Sequence, residues 1–199
     1  MNLVIVKYNA GNIESVSNAL LRLGIQAEIT ADHEKIKAAD KVIFPGVGEA
    51  STTMAYLKKE GLDQLIPSLT QPVLGICLGL QLMCSHSEEG DTPCLGIFEE
   101  KVKRFIPDQG MEYITKVPHM GWNTITKLKS NLFDASLDNQ FVYFVHSFYA
   151  TVGEHTAAEG NYINSFSAAL HKDNFYATQF HPEKSGPIGA KILENFLKI

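Results

Sequence analysis

Short apolar runs alternate with helical periodicity through the first half of the chain. Leu3-Val4-Ile5-Val6 is uninterruptedly apolar, which predicts a buried strand. Ile13, Val16, Ala19, Leu20 and Leu23 then recur at three- and four-residue spacing, predicting a helix that Gly24 stops. Ile25 to Ile29 reads as a second strand and Lys41 to Phe44 as a third, closed by Pro45-Gly46-Val47-Gly48. A helix is expected from about Glu49 to Lys59, with Gly61 after it. A fourth strand is expected over Val73 to Ile76, and a helix from Leu78 to about Ser85. Strand–helix alternation of this kind implies right-handed crossovers and a mostly parallel sheet with helices on both faces. In such sheets ligands bind at the carboxyl ends of the strands, where Cys77 and the 45–48 loop both fall.

The second half changes style. Phe98 to Phe105, Asn123 to Thr126, Gln140 to Val145, Thr156 to Tyr162, Phe166 to His171 and Phe175 to Phe180 read as strands with short turns. They predict an antiparallel or mixed extension of the sheet. A final helix starts at Pro187, a residue tolerated at the first helical position. Ile188, Ile192, Leu193, Phe196 and Leu197 line one of its faces. No stretch reads as a linker, so residues 1–199 are expected to form a single α/β domain.

Composition narrows the function classes. The formal net charge of −5 and a pI near 5.8 argue against a broad nucleic-acid surface. No apolar run is long enough to span a bilayer, and the N-terminal segment has the wrong flanks for a signal peptide. Three cysteines without scaffold spacing, Cys77, Cys84 and Cys94, fit a reducing, cytoplasmic compartment.

The chemistry concentrates at two strand ends. Cys77 sits in Gly75-Ile76-Cys77-Leu78-Gly79. Glycines two residues either side let a strand turn sharply into a helix with the thiol exposed, the nucleophile-elbow arrangement with Cys in place of Ser. A thiol nucleophile needs a base, and the base an orienting group. His181-Pro182-Glu183 follows another predicted strand. Pro182 biases His181 toward extended backbone, and in extended chain Glu183 would face the same side and accept the imidazole Nδ1–H. The competing reading makes Cys77 a core thiol and His181 a loop residue. Two such motifs, each at the end of a predicted strand, favour a site.

These residues, Gly75 to Gln81 with Gln179 to Glu183, resemble the triad-type (class I) glutamine amidotransferases, and the resemblance runs from Met1 to the C-terminal helix. It implies a flavodoxin-like amidotransferase fold and hydrolysis of the glutamine side-chain amide. It implies Cys77 as nucleophile, His181 as general acid and base, and Glu183 as orienter. The oxyanion would be held by backbone at Leu78 and the Gly46-Val47-Gly48 loop, and glutamine by Gln81 and the His146-Ser147-Phe148 segment. Tyr8-Asn9-Ala10-Gly11-Asn12, Pro45-Gly46-Val47-Gly48, Val117 to Asn123 and His181 to Ser185 are similar to the glutaminase subunits of imidazole glycerol phosphate synthases. That branch implies a heterodimer with a (β/α)₈-barrel cyclase subunit in histidine biosynthesis, a partner face including Asn12, Met120, Trp122 and Lys184, and no metal or organic cofactor. A tryptophan is by default buried, and Asn12 would otherwise cap the first helix. Cys84 reads as a core thiol, Cys94 has no assigned role, and His33, His86, His155 and His171 read as surface residues without metal-ligand spacing. Alternatives are a glutaminase for another synthase, a stand-alone γ-glutamyl hydrolase, or a regulatory module that keeps the fold.

A Cys77→Ala variant is expected to release no glutamate from glutamine while keeping partner binding. Turnover retained in a coupled glutamate assay would remove the nucleophile assignment.

Overall fold

The computed structural model describes every residue except 10, 111, 112 and 114. The first half contains β1 (Leu3–Val6), α1 (Ile13–Arg22), β2 (Glu28–Thr30), α2 (His33–Lys37), β3 (Lys41–Gly46), α3 (Ala50–Lys59), α4 (Leu62–Leu65), β4 (Val73–Cys77) and α5 (Leu78–Met83). The second contains β5 (His86–Ser87), β6 (Thr92–Pro93), β7 (Lys101–Arg104), β8 (His119–Thr124), β9 (Phe141–His146), β10 (Phe148–Ala150), β11 (Thr156–Asn161), β12 (Ser165–Lys172), β13 (Phe175–Thr178) and α6 (Gly186–Lys198).

Seven strands form the central sheet in the order β2-β1-β3-β4-β13-β12-β11. Pairing is parallel from β2 through β13 and antiparallel across β12 and β11. Its central strands are buried on both faces, and their side chains divide by the period of two. Val4, Val6, Val42 and Phe44 pack on one face with Ala50, Met54 and Leu57 of α3. Leu3, Ile5, Ile43, Leu74 and Ile76 pack on the other with Val16 and Leu20 of α1 and Leu193 and Phe196 of α6. Each face is covered by helices, which is why these strands read as continuous apolar runs. Among the described residues no helix is long and apolar enough to cross a membrane.

The expected mixed extension is only partly what the second half builds. β11, β12 and β13 join the central sheet, whereas β10-β7-β5-β6 form a separate small sheet and β8-β9 a two-stranded one. A third core, including Phe105, Phe144, Phe166 and Phe180, lies beneath these strands. β2 starts later than its apolar pattern suggests, because Ile25 completes a Schellman cap. Its N–H bonds Leu20 O at 3.0 Å and the Gly24 N–H bonds Leu21 O at 2.9 Å, with Gly24 at φ 77. β8 begins at His119 rather than Asn123. Its apolar residues Met120 and Trp122 are the exposed ones and His119 the buried one, so the apolar-inward alternation that marks a strand is inverted. α2 hides in polar sequence, with Ile36 its buried residue and Asp32 capping it by accepting from Glu34 N and Lys35 N.

The glycines around Cys77 do a different job from the one their spacing suggests. Cys77 itself takes the left-handed backbone, φ 54 and ψ −106, a strain of about 1–3 kcal/mol for a non-glycine residue. Gly75 and Gly79 supply room. A Cβ on Gly79 would overlap the Phe44 carbonyl oxygen, and one on Gly75 would come within 2.9 Å of Met83 Sδ and 3.1 Å of the Gly79 carbonyl carbon. α5 therefore lies directly against the β3 backbone.

Gly79→Ala is expected to destabilise the protein by about 1–3 kcal/mol through overpacking, read as a lowered urea midpoint. An unchanged midpoint would show that α5 can move away from β3.

Candidate active site

Three strand ends converge on the thiol. Parallel register sets Gly46 at the end of β3 directly beside Cys77 at the end of β4. β1 runs on the other side of β3, and the chain after β1 turns back over the 45–48 loop. The order of strands reverses between β1 and β3, since β1 passes to β2 on one side while β3 lies on the other. This is the crevice where open α/β sheets hold ligands. Tyr8, buried and packed on Phe44, donates its hydroxyl to the Pro45 carbonyl. A Cβ on Gly46 would overlap that hydroxyl, and a Cβ on Gly11 would press on Val47 Cγ2 at 2.9 Å. The 45–48 loop is thus braced from the β1 side, with Gly48 at φ 136. Burial and the nearby Cys77 raise the Tyr8 pKa, so the phenol stays a donor.

The histidine and carboxylate come from the chain after β13. The expectation that Glu183 shares extended backbone with His181 does not hold. His181 is extended, at φ −97 and ψ 95, but Pro182–Lys184 forms a 3-10 turn. The turn still brings the two groups together: His181 Nδ1 lies 2.7 Å from Glu183 Oε1, and both side chains are fully buried. The ring's backbone is pinned as well. His181 N donates to Tyr143 O at 2.9 Å, and Ser185 Oγ donates to His181 O at 2.7 Å. His181 Nε2 and Glu183 Oε2 are buried and have no hydrogen-bond partner among the described residues. Burial works against the imidazolium, but Cys77 and Glu183 outweigh it and push the His181 pKa up to about 10.

Asn12 is the residue whose setting the sequence conceals. It precedes α1 at φ 76 and makes no side-chain cap. Instead its Nδ2 donates to Glu183 Oε1 at 2.6 Å. Its 3.3 Å approach to His181 Nδ1 sets two donors side by side, since Nδ1–H is committed to the carboxylate. The start of the first helix is thereby tied to the Glu183 carboxylate. Ala10 of the same motif lies outside the described residues.

A pocket of about 340 Å³ opens on the thiol, lined by Val47, Gly48, Cys77, Leu78, Gln81, Glu89, Pro118, Val145, His146, Ser147 and Phe148. The expected oxyanion and substrate residues thus meet in one cavity, except Gly46, which sits behind it in the sheet. Gln179 Nε2 approaches the Cys77 sulfur at 3.7 Å, and Gln81 Nε2 bonds Phe148 O at 2.9 Å and Gln179 Oε1 at 3.0 Å. Sequence reasoning missed Glu89, the one carboxylate in the lining among the described residues. Its Oε2 accepts from Ala50 N at 2.8 Å, and burial raises its pKa. Nothing in its local sequence marks it, because β5 and the turn after it carry it to the pocket.

The remaining expectations divide. Met120, Trp122 and Lys184 are exposed, and Trp122 makes an edge contact with Tyr143 at 5.9 Å; it is not a core tryptophan. Cys84 is a core thiol bonded to Leu80 O at 3.4 Å, and burial raises its pKa well above the ordinary value. Burial pushes Cys94 up to about 11. His155 is not a free surface residue. It contacts Glu99 and Glu100 at 3.0 and 3.2 Å, and those three residues form a metal-ligand-type cluster. Lys172 Nζ bonds Glu99 at 2.7 Å there, so a resident cation already offsets the carboxylates.

Fold and site define an α/β protein whose chemistry gathers a thiol, an imidazole and a carboxylate at the carboxyl end of a parallel sheet. The chain belongs to the class I glutamine amidotransferases, whose family model, Glutamine amidotransferase class-I, matches residues 4–199. It is 64% identical over 199 residues to the imidazole glycerol phosphate synthase subunit HisH of Bacteroides fragilis, with all of both chains covered. It is 48% identical over 199 residues to the subunit of that name from Haemophilus influenzae, covering 100% of this chain and 98% of that one. Among solved structures, a putative GMP synthase subunit from Thermoplasma acidophilum superposes with a TM-score of 0.75 at 20% identity, over 100% of this chain and 93% of that one. PurLQS from Thermotoga maritima follows at 0.64 and 14%, over 99% and 97%. These two solved structures carry the fold alone.

The His181 pKa sets a pH test. Glu183 raises that pKa, so Glu183→Gln lowers it, and the alkaline limb of kcat/KM for glutamine hydrolysis is expected to move to lower pH. A limb that stays in place would show that Glu183 does not tune His181.

Proposed function

We propose that this chain is the glutaminase subunit of an imidazole glycerol phosphate synthase, hydrolysing glutamine to glutamate and ammonia through Cys77, His181 and Glu183. The observation that carries the reading is the strained Cys77 opening on a pocket, with the buried, hydrogen-bonded His181–Glu183 pair on the neighbouring strand end. Glutamine enters with its ammonium toward Glu89 and its side-chain amide toward Cys77. The thiolate attacks the amide carbon. The resulting oxyanion is met by backbone N–H groups at Leu78 and the Gly46-Val47-Gly48 loop, fixed dipoles that stabilise charge as it develops. His181 protonates the departing nitrogen, ammonia leaves, and a γ-glutamyl thioester remains on Cys77. Water, deprotonated by His181, then attacks the thioester and releases glutamate and the thiol.

Ammonia in bulk water is protonated and loses its nucleophilicity, so its acceptor needs an enclosed path. We assign that acceptor to a cyclase subunit with a (β/α)₈ barrel, forming a cytoplasmic heterodimer with this chain in histidine biosynthesis. The exposed Met120 and Trp122 support a partner face, since aromatic residues and Met are enriched at interfaces, and Lys184, exposed beside Glu183, is assigned to its edge. Asn12, tied to Glu183, lies on the strand-end side that such a partner would cover. No step calls on a metal or organic cofactor, and the whole chain, residues 1–199, acts as one catalytic domain.

Glutamate release is measured with the purified chain alone, and then with a cyclase subunit carrying its nucleotide ligand. A large rise in the complex is expected, because the 45–48 loop carries Val47 where glycine would turn more freely. Equal activity in both would point to another acceptor or to a free-standing hydrolase.

A further inference from the structure

β8 carries the exposed Met120 and Trp122, yet the residue at its start is buried. His119 pairs in register with His146 of β9, and both rings are nearly inaccessible, at 4% and 5% exposure. His119 Nδ1 lies 3.0 Å from His146 Nε2. His146 Nδ1 lies 2.7 Å from the Phe148 carbonyl oxygen. These two distances determine where the protons sit. A carbonyl only accepts, so His146 carries its proton on Nδ1 and leaves Nε2 bare. His119 then donates from Nδ1, and its own Nε2 is the acceptor. The Asn123 amide nitrogen faces that atom at 3.4 Å and is held by Asn161 O at 2.7 Å. His119 is also clamped between aromatic rings, stacked on Phe144 at 5.0 Å and on Tyr162 at 4.1 Å.

The chain of bonds continues toward the thiol. The Phe148 carbonyl that receives His146 also receives Gln81 Nε2. Gln81 reaches Gln179, and Gln179 reaches the Cys77 sulfur. His146 lines the pocket, but both its nitrogens are already engaged, one by a backbone carbonyl and one by His119.

We propose that His119 is a positioning residue for the glutamine pocket: by holding His146 in its Nδ1–H tautomer it fixes the Phe148 carbonyl and, through that carbonyl, Gln81 beside Cys77. The proposal deepens the glutaminase reading and rests on it. Burial pushes His119 down to about 4 and His146 to about 3, which keeps both rings neutral as this bond order requires. Without the His119 donor, His146 Nε2 would be a buried acceptor with no partner. The ring would regain the choice of tautomer, and the alternative one removes the proton from the Phe148 carbonyl.

Two variants separate positioning from mere packing. His119→Phe keeps an aromatic ring between Phe144 and Tyr162 but removes the donor. His119→Asn keeps an N–H near the place of Nδ1 but gives up the stack. In the complex with the cyclase subunit, His119→Phe is expected to raise KM for glutamine about tenfold, the scale of one orphaned buried acceptor, with a smaller change in kcat. His119→Asn is expected to stay within about threefold of the unaltered KM, on the same scale. Equal KM effects from both variants, or none from His119→Phe, would overturn the positioning role. Long-range 1H–15N spectra of the unaltered protein supply a readout independent of turnover. Both rings should read as neutral Nδ1–H tautomers, and the His146 pattern should change in His119→Phe; an Nε2–H His119 would overturn the bond order. Absence of glutaminase activity in the unaltered complex would instead sink the glutaminase reading and the positioning role with it, while the spectra would show whether the bond order itself is right.

Discussion

The site depends on one steric contact, the first turn of α5 lying against the backbone of β3 at Phe44 and Gly79. No carbon fits between them. With the helix held that close, the chain has no residues to spare between strand and helix, and Cys77 absorbs the turn in its own backbone at φ 54. The thiol is thereby raised at the end of β4 rather than folded into either neighbour. The same closeness places Gly46 beside it in the sheet, and the Tyr8 hydroxyl fills the space a Gly46 side chain would need. Cys77, the 45–48 loop and the Tyr8 brace are one packing unit, so local strain at Cys77 is sustained by contacts on three strands.

Polar burial follows a second logic. Glu183 Oε1 takes two donors, His181 Nδ1 at 2.7 Å and Asn12 Nδ2 at 2.6 Å, while Oε2 and His181 Nε2 have no partner among the described residues. Leaving buried polar atoms unsatisfied costs about 1–3 kcal/mol each. Here the orphaned atoms belong to groups whose other end is firmly held. His119 and His146 show the opposite arrangement, every ring nitrogen engaged and no charge. The two buried histidine pairs thus differ, one with a ring nitrogen left without a partner among the described residues and one with none so left.

Much of this was legible in the residues, and the failures have physical causes. β1 and β3 announced themselves because strands buried on both faces read as apolar runs, and α1 because its buried stripe is local. Cys77 and His181-Pro182-Glu183 were legible because turn chemistry is written within a few neighbouring residues. β8 was shifted because its outward side chains are themselves large and apolar. Asn12 was legible only as a cap or a partner contact, since its actual bond spans 171 positions. Glu89 gave no signal for the same reason. Nor could local pattern reveal that β13 inserts parallel to β4 while β8 and β9 stand apart, because a strand's partner is chosen across the chain and its periodicity is blind to that choice.

The place of β13 has a consequence for how the molecule is made. This strand, among the last elements in sequence, lies in the middle of the sheet between β4 and β12. Until the ribosome has released it, the flank of β4 next to the thiol is an open edge of unpaired N–H and C=O groups. The same insertion delivers His181 and Glu183. A nascent chain therefore carries Cys77 for about half of its synthesis before His181 and Glu183 are made, and the step that seals the sheet is also the step that assembles the site.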